Sequence, residues 1–316
     1  METGTEDLDY FQEKLWVVIV LQFIFAVLGN GFTIYHFVAW ERTWHPGTIF
    51  SFNLALSDLF YAISLLPLAS YYFPPKNWSY GCLLCKLDRF VFFVNLYGST
   101  FFIACISLNR YIAVVHPFFA RERVEPFHAK IASGVMWLLA IAISAPVLHF
   151  TTLNPNGNAT LCLGSATKSE LPAYQPYSWF LLAVGCGLPF VLTLFSCVAI
   201  VCAVRRSHGT TRDEKCKVMI LISTVVLLYA LFYWPFHIFR NLNFYYRAKD
   251  NRNKTIYITY QITRILVNFH VCIHPFIYAA LAKNMPKSCC KALQRQKQLQ
   301  GKEKHLELQP APFDGH

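Results

Sequence analysis

Long apolar blocks separated by short polar stretches recur along the whole chain. A helix needs about 20 apolar residues to cross the roughly 30 Å hydrocarbon core of a bilayer. Seven blocks match this requirement and cover approximately residues 15–40, 48–72, 86–113, 130–150, 177–203, 217–242 and 258–282. The pattern predicts an all-α membrane protein, a seven-transmembrane helix bundle with a short amphipathic helix after the last span. It divides the chain into an N-terminal segment (1–14), the transmembrane domain (15–282) and a C-terminal tail (283–316).

Composition supports the membrane assignment, because 55% of the 316 residues are hydrophobic and only 14% are charged. Soluble domains carry about 25% charged residues. The acidic start METGTEDLDYFQEK lacks the basic region of a cleavable signal peptide, so the first helix is expected to act as the membrane signal. We see no internal repeat of the kind that many transporters have. The net charge of +11 is interpreted as cytoplasmic anchoring, and no motif indicates nucleic-acid binding.

Three N-glycosylation sequons agree on the orientation of the bundle. They begin at Asn77, Asn158 and Asn253, in the loops after helices two, four and six, which share one face of the membrane. Sequons are modified on the lumenal side, which later becomes extracellular. Basic residues concentrate in the other loops and the tail, as expected for the cytoplasmic side, although the loop with Arg247 and Lys254 departs from this bias. The sequence therefore predicts a multi-pass plasma-membrane protein with an extracellular N-terminus and a cytoplasmic tail.

The cysteines divide by compartment. Cys82, Cys85 and Cys162 are expected on the extracellular side, where disulfides persist. Cys289 and Cys290 follow the last helix among basic residues, a setting typical of palmitoylation. The alternative for this pair is two unmodified thiols.

Short polar motifs recur at one place in each helix, including GNGF, NLALSD, SLNRYIAVVHP, CGLPF, WPFH and HPFIY. A single motif of this kind means little, since a proline often only bends a membrane helix. The ordered set resembles the rhodopsin-like G-protein-coupled receptors over essentially the whole chain, excluding the termini. The phrases WHPGTIFSFNLALSDL, YYFPPKNWSYG and SLNRYIAVVHPFFAR are most similar to the purinergic nucleotide receptors, with an ATP receptor as the nearest resemblance.

This resemblance implies a disulfide between the start of helix three and the second extracellular loop. Cys85 and Cys162 fit that bridge, with Cys82 as a competing partner three residues away. The family's cytoplasmic arginine matches Arg110, which is expected to contact the G protein when helix six swings outward. A bare arginine at a helix end would instead extend its charge to the lipid headgroups. Tyr278, in the HPFIY motif, is assigned to the same coupling machinery.

Asp58 is a carboxylate predicted to lie inside the second helix. By itself such a group is either protonated or locally hydrogen-bonded. The resemblance offers another interpretation, in which Asp58, Asn95 and Ser99 form the sodium pocket of this receptor class and the ion is an allosteric modulator. No other cofactor is predicted. Asn109 stands where the family usually has an acidic residue, and His274 stands where it usually has Asn or Asp. The level of activity without ligand is therefore not predicted.

Three arginines occur in apolar helices, where a cation costs several kcal/mol. Arg240 lies five residues after Pro235, toward the extracellular end of helix six. Arg264 lies roughly 16 Å from Pro275 in the same direction, at about 1.5 Å per residue. Arg89 follows the predicted disulfide at the start of helix three by one turn. All three are therefore expected in the extracellular third of the bundle.

Few acids lie near enough to neutralise these arginines. Asp88 is adjacent to Arg89 but points about 100° away around the helix, so the two are not expected simply to pair. In one interpretation the arginines reach the lipid surface or pair with Glu170 and the acidic N-terminus. In the other they form a cationic pocket for an anion, because the planar guanidinium gives phosphate two charge-assisted hydrogen bonds and stays charged.

The family resemblance favours the cationic pocket. In nucleotide receptors, arginines that match Arg240 and Arg264 bind phosphate, and the family's HxxR pattern matches His237 and Arg240. The predicted ligand contacts are therefore Arg89, Phe93, His237, Arg240 and Arg264, with Phe93 offering an aromatic face to a base.

The sequence thus predicts a receptor for extracellular nucleotide, most readily ATP, that activates heterotrimeric G proteins. A receptor for a dicarboxylate such as succinate or 2-oxoglutarate is the alternative within the class, because such receptors share the three arginines and the NWSYG phrase. A transporter or a decoy that binds ligand without signalling is the alternative outside it. An enzyme is not predicted, since motifs such as HExxH or paired acids at one membrane depth are missing from the sequence.

Overall fold

A computed structural model describes residues 3–157, 159–163, 166–206, 212–249 and 253–281. Most of this described chain is helical. The elements in chain order are α1 (Thr3–Trp40), α2 (Pro46–Tyr72), α3 (Gly81–Val115), α4 (Pro117–Arg123), α5 (Pro126–Ser144), α6 (Val147–Phe150), β1 (Thr152–Asn156), β2 (Ala159–Leu163), α7 (Leu171–Phe180), α8 (Leu188–Arg206), α9 (Arg212–Leu228), α10 (Trp234–Ala248), α11 (Lys254–Val267) and α12 (His270–Leu281). Two π-helical segments, Leu181–Gly187 and Tyr229–Tyr233, join α7 to α8 and α9 to α10.

These helices form the seven crossings that the hydrophobic pattern predicts. The crossings are α1, α2, α3, α5 with α6, α7 with α8, α9 with α10, and α11 with α12. Six of them contain a helix that is long and apolar enough to span a bilayer. The seventh is interrupted between α11 and α12 at Asn268–Phe269, so neither half reaches that length by itself. Helix α1 begins at Thr3, well before the predicted start at residue 15, and the predicted amphipathic helix after the last span lies outside the described residues.

Helix α3 is the centre of the bundle and packs against α2, α5 and α8. Its buried side chains include Leu96, Tyr97 and Phe102. By contrast, α5 turns large apolar side chains outward, such as Leu138 at 68% exposure and Ile131 at 53%. Lipid tails are as apolar as leucine, so exposing these side chains to a bilayer costs little free energy. The polar residues of the spans are therefore free to converge inside the bundle.

A close contact between α3 and the first π-helical segment shapes the interior. A Cβ atom at Gly185 would lie 2.3 Å from Tyr97 Cδ1, so a larger residue would collide with the ring. Thr100 Oγ1 donates a 2.7 Å hydrogen bond to the carbonyl of Gly185, in a turn whose π geometry disturbs the regular backbone pattern. The contact holds Tyr97 where its hydroxyl accepts a 3.4 Å hydrogen bond from Arg240 Nη1.

A β-hairpin formed by β1 and β2 covers one end of the bundle, called the hairpin end below. The two strands pair antiparallel, an element that the sequence did not predict. A disulfide between Cys85 and Cys162 ties β2 to the start of α3, which confirms the predicted pairing, while Cys82 is an exposed free thiol. The loop after α2 holds the same strand, because Asn77 Oδ1 accepts a 2.8 Å hydrogen bond from the backbone of Thr160.

The predicted modification sites fall partly within the described chain. Asn77 and Asn253 are exposed. The side chain of Asn253 also caps α11, accepting a 3.2 Å hydrogen bond from the backbone of its first turn. Asn158, Cys289 and Cys290 lie outside the described residues. Glycosylation and palmitoylation therefore stay predictions.

The disulfide gives a first test. Replacing Cys85 or Cys162 with serine releases β2 from α3, and a bridge of this kind contributes about 2–4 kcal/mol. We expect both variants to lose surface expression, as measured by antibody labelling of intact cells, or to lose the predicted response to ligand in a second-messenger assay. Cys82→Ser is the matched control and should behave as wild type. Equal loss in all three variants would contradict the assigned pairing.

Candidate ligand-binding site

A cavity of about 800 Å³ opens at the hairpin end, bounded by the hairpin, the end of α2, α10 and α11. Its lining is strongly basic. Five cationic side chains line it: Lys76, Lys168, Arg247, Lys254 and Arg264. The lining residues in the described chain include neither aspartate nor glutamate. Among the described residues, the lining of this cavity is therefore rich in basic side chains and contains no carboxylate.

A second and much smaller cavity adjoins the first through two shared side chains, Tyr72 and Arg264. Arg264 donates a hydrogen bond to the hydroxyl of Tyr72. The small cavity is also lined by Asp88 and Arg89, whose side chains are buried. Arg264, on α11, thus connects the open cavity to Arg89, the buried arginine of α3.

Asp88 and Arg89 contact each other, contrary to the expectation from the sequence. Arg89 Nη1 lies 3.7 Å from Asp88 Oδ2, with both side chains almost fully buried. The long arginine side chain bends round the helix far enough to overcome the angular separation of adjacent positions. One carboxylate faces two guanidinium groups here, because Arg264 lines the same cavity. The net charge of this inner group is still positive.

Arg240 lies in a cage of aromatic rings. Its side chain is 1% exposed, and Nη2 donates a 2.7 Å hydrogen bond to the hydroxyl of Tyr174. Its guanidinium carbon lies 4.7 Å from the ring centre of Phe93 and 5.8 Å from that of Phe244. A cation over an aromatic face is attracted by the ring quadrupole. Among the described residues no carboxylate forms an ion pair with Arg240, so the rings and hydroxyls hold its charge.

His237 lies beside this cage. It is fully buried, its ring centre is 5.7 Å from that of Tyr97, and neither ring nitrogen has a hydrogen-bond partner among the described residues. The five predicted ligand contacts therefore separate into two groups. Arg89 and Arg264 share the small cavity, whereas Phe93, His237 and Arg240 lie together in the aromatic cage and line neither cavity.

Four of the basic residues in the open cavity were not predicted as ligand contacts. The sequence offered a reason to consider Arg247 and Lys254, because extracellular loops usually contain few basic residues and their loop contains several. The sequence offered no such reason for Lys76 and Lys168, which are single lysines in loops that come together only at the cavity.

Glu170 does not neutralise the arginines. Its Oε2 atom accepts hydrogen bonds from the side-chain hydroxyl of Thr167 at 2.7 Å and from the backbone of Thr167 at 2.9 Å. These hydrogen bonds hold the pKa of the Glu170 carboxyl below its ordinary value. The carboxylate thus stabilises its own loop and forms no ion pair with an arginine among the described residues.

The residues assigned to G-protein coupling lie at the opposite end of the bundle. Arg110 is half-buried near the end of α3, roughly 37 Å along that helix from the disulfide at about 1.5 Å per residue. Tyr278 in α12 is 4% exposed and packs edge-on against Phe37 at 6.1 Å between ring centres. Both positions are too far from the cavities for direct ligand contact.

The three residues predicted for a sodium site converge in the middle of the bundle, where Asp58, Asn95 and Ser99 are all buried. Asn95 Nδ2 donates a 3.0 Å hydrogen bond to Asp58 Oδ1. His274 Nδ1 lies 2.7 Å from the other carboxylate oxygen, Oδ2. Both oxygens of the carboxylate are therefore engaged by side chains of the protein.

Comparison with known proteins gives a consistent result. Residues 29–278 match the family described as 7 transmembrane receptor (rhodopsin family). Purinoceptor 11 of Homo sapiens is 42% identical over an alignment that covers 92% of this chain and 84% of that protein. Purinoceptor 1 of Gallus gallus is 34% identical, covering 83% of this chain and 74% of that protein. Purinoceptor 1 of Homo sapiens is 33% identical, covering 83% and 72%.

Proposed function

The chain belongs to the rhodopsin family of seven-transmembrane receptors, and from this premise we propose that it is a plasma-membrane receptor for extracellular ATP that activates heterotrimeric G proteins. The family consists of receptors, so the prediction that the chain is not an enzyme is confirmed. The similar proteins named above are purinoceptors, which supports a purine nucleotide as the ligand.

The hairpin end is the extracellular end in this proposal, with the N-terminus on the same side and the tail in the cytoplasm. Two exposed sequon asparagines, Asn77 and Asn253, support that orientation. The disulfide between Cys85 and Cys162 supports it as well, because disulfides persist in the oxidising extracellular space. The open cavity then faces the medium from which a nucleotide arrives.

The observation that carries the proposal is the charge and size of the open cavity. Its volume of about 800 Å³ and its five basic side chains exceed what a small dicarboxylate needs. Cavities of about 300–1,000 Å³ suit ligands of drug size, a range that includes a nucleoside triphosphate. Charge-assisted hydrogen bonds from arginine and lysine to phosphate are about twice as strong as neutral ones. A chain of three phosphates carries more charge and offers more acceptor oxygens to these cations than two carboxylates do.

A ligand series tests this proposal. Concentration–response curves for ATP, ADP, AMP, succinate and 2-oxoglutarate are measured by calcium and cAMP assays in transfected cells. We expect ATP to be the most potent, and AMP and the dicarboxylates to be much weaker. A potent dicarboxylate with inert ATP would reject the nucleotide and keep the cationic cavity. Accumulation of labelled ligand inside cells or vesicles would indicate a transporter, and specific binding without any second-messenger change would indicate a decoy.

Arg240 does not line the open cavity, and its guanidinium is hydrogen-bonded to the hydroxyl of Tyr174. To bind phosphate in that cavity, Arg240 must first break this hydrogen bond. Tyr174→Phe removes that hydroxyl and leaves a buried guanidinium N–H without its acceptor, which raises the free energy of the unliganded receptor. We therefore expect ATP potency to increase by about 10-fold or more, because the lost hydrogen bond involves a charged group.

The neighbouring tyrosine provides the control. Tyr177 donates a 2.6 Å hydrogen bond to the backbone of Ile143 and none to Arg240, so Tyr177→Phe should leave ATP potency unchanged. Weaker ATP response in Tyr174→Phe than in this control would mean that Tyr174 positions Arg240 for the ligand instead of competing with it.

A further inference from the structure

A cluster of buried polar side chains joins four crossings in the middle of the bundle. Asp58 lies on α2, Asn95 on α3, Tyr233 on the second π-helical segment, and His270 and His274 on α12. Asp58, His270 and His274 are completely buried. In so apolar a place an ionised carboxylate is costly unless it is paired and hydrogen-bonded. The partners of Asp58 therefore decide what this cluster can do.

Hydrogen-bond donors occupy the carboxylate from two sides. Asn95 Nδ2 lies 3.0 Å from Asp58 Oδ1, and His274 Nδ1 lies 2.7 Å from Oδ2. The oxygens of an ionised carboxylate only accept, so with Asp58 ionised Asn95 Nδ2 and His274 Nδ1 are the donors in these two contacts. The remaining nitrogen of His274, Nε2, lies 3.3 Å from the hydroxyl of Tyr233. The imidazole thus bridges α2, α12 and the π-helical segment.

The second histidine uses the other available oxygen. His270 Nε2 lies 2.9 Å from Asn95 Oδ1, and His270 Nδ1 contacts the backbone carbonyl of Val267. Asn95 consequently points its amide nitrogen toward Asp58 and its carbonyl oxygen toward His270. The oxygen that would ligand a cation is turned away from the carboxylate, toward the ring of His270.

These residues do not fit a sodium ion. Hard cations are bound by sets of oxygen ligands, and the space beside Asp58 is lined by N–H groups of His274 and Asn95. The sequence predicts three residues for the site. The oxygens of Asp58 face N–H donors and the oxygen of Asn95 faces His270, whereas Ser99 Oγ has no hydrogen-bond partner among the described residues. The neighbouring hydroxyl of Ser57 accepts a 3.0 Å hydrogen bond from Asn95 Nδ2. The hydroxyl of Ser99 by itself does not replace a coordination shell.

We propose that the side chain of His274 takes the place of the cation at Asp58, so that this receptor is insensitive to sodium at that position. The imidazole makes the contacts between crossings that an ion would otherwise make. This inference concerns the resting structure and does not depend on which ligand the receptor recognises.

The test measures the thermal stability of the purified receptor in lipid nanodiscs, without agonist. The Tm is recorded in NaCl and in choline chloride of equal ionic strength, over a range of salt concentrations. Wild type should show the same Tm in both salts. His274→Asn frees Asp58 Oδ2 and adds a carbonyl oxygen, so this variant should gain a saturable increase of about 2–4 °C with sodium, the shift expected for a ligand that stabilises the folded state by about 1 kcal/mol.

Two further variants assign any shift to the cluster. Asp58→Asn added to His274→Asn should abolish the gained sodium response. His149→Asn, a change at an exposed histidine, should leave the wild-type behaviour intact. A saturable sodium response of wild type that Asp58→Asn removes would overturn the proposal, as would a folded His274→Asn variant that stays indifferent to sodium. If His274→Asn does not fold, the sodium dependence of the wild-type Tm tests the proposal by itself.

Discussion

Replacing Arg264 with alanine is expected to weaken the potency of ATP by about 10- to 150-fold, the value of one charge-assisted hydrogen bond. Arg264 is the arginine that lines both the open basic cavity and the small cavity of Arg89. Its contact with the hydroxyl of Tyr72 aims the guanidinium without neutralising it. Arg264→Lys should recover only part of the loss, because an ammonium keeps the charge but not the planar fork that grips phosphate.

The control for this prediction removes a cation from the same end of the receptor. Lys249 is exposed, lies over the ring of Tyr245 and does not line the cavity. Lys249→Ala should therefore leave ATP potency unchanged. Potency is measured as calcium or cAMP response, and surface expression is checked by antibody labelling. An Arg264→Ala variant that is expressed normally and keeps full ATP potency would remove this arginine from the binding site.

The second large effect is expected at the opposite end of the bundle. Arg110→Ala should abolish G-protein activation while leaving ligand affinity within about 3-fold of wild type, since Arg110 lies roughly 37 Å from the disulfide end of α3 at about 1.5 Å per residue. The physical reason is that an arginine at this end can serve the G protein only after the helices rearrange. Binding is measured with labelled ATP on membranes, and coupling by nucleotide exchange on a purified G protein.

Separating these two measurements makes the prediction decisive. Lys249→Ala, which removes a positive charge at the hairpin end, should change neither binding nor exchange. Retained G-protein activation in Arg110→Ala would contradict the role assigned to this arginine. Loss of ligand binding together with coupling would indicate that the residue supports the fold instead.

The number of crossings and the pairing of Cys85 with Cys162 were accessible from the sequence for different reasons. The length of an apolar block is a local property that follows from the thickness of a bilayer, so all seven crossings can be counted along the chain itself. The disulfide came from the resemblance to a family. The break at Asn268–Phe269 and the hairpin depend on contacts between distant segments, and neither was predicted.

The candidate site was only partly accessible in this way. The buried arginines stood out because a charge in an apolar helix is costly and therefore conspicuous. The separation of these arginines into two groups could not be predicted, because Arg240 is held by Tyr97 and Tyr174, which are 143 and 66 positions away in the chain. Lys76 and Lys168 join Arg264 only because the hairpin folds over the end of α2.

The order of apolar blocks and charged residues along the chain is enough to predict seven membrane crossings and to show which helices carry charge. The partners of these charged groups follow from helix packing. Arg264 lines the open cavity, Arg240 lies among aromatic rings, and Asp58 contacts His274, which is 216 positions away. The physical reason is the range of the interactions. Burial in lipid acts on every residue of a helix according to its own polarity, whereas a hydrogen bond or a cation–π contact needs a partner within a few ångströms, and only packing of the helices brings that partner close.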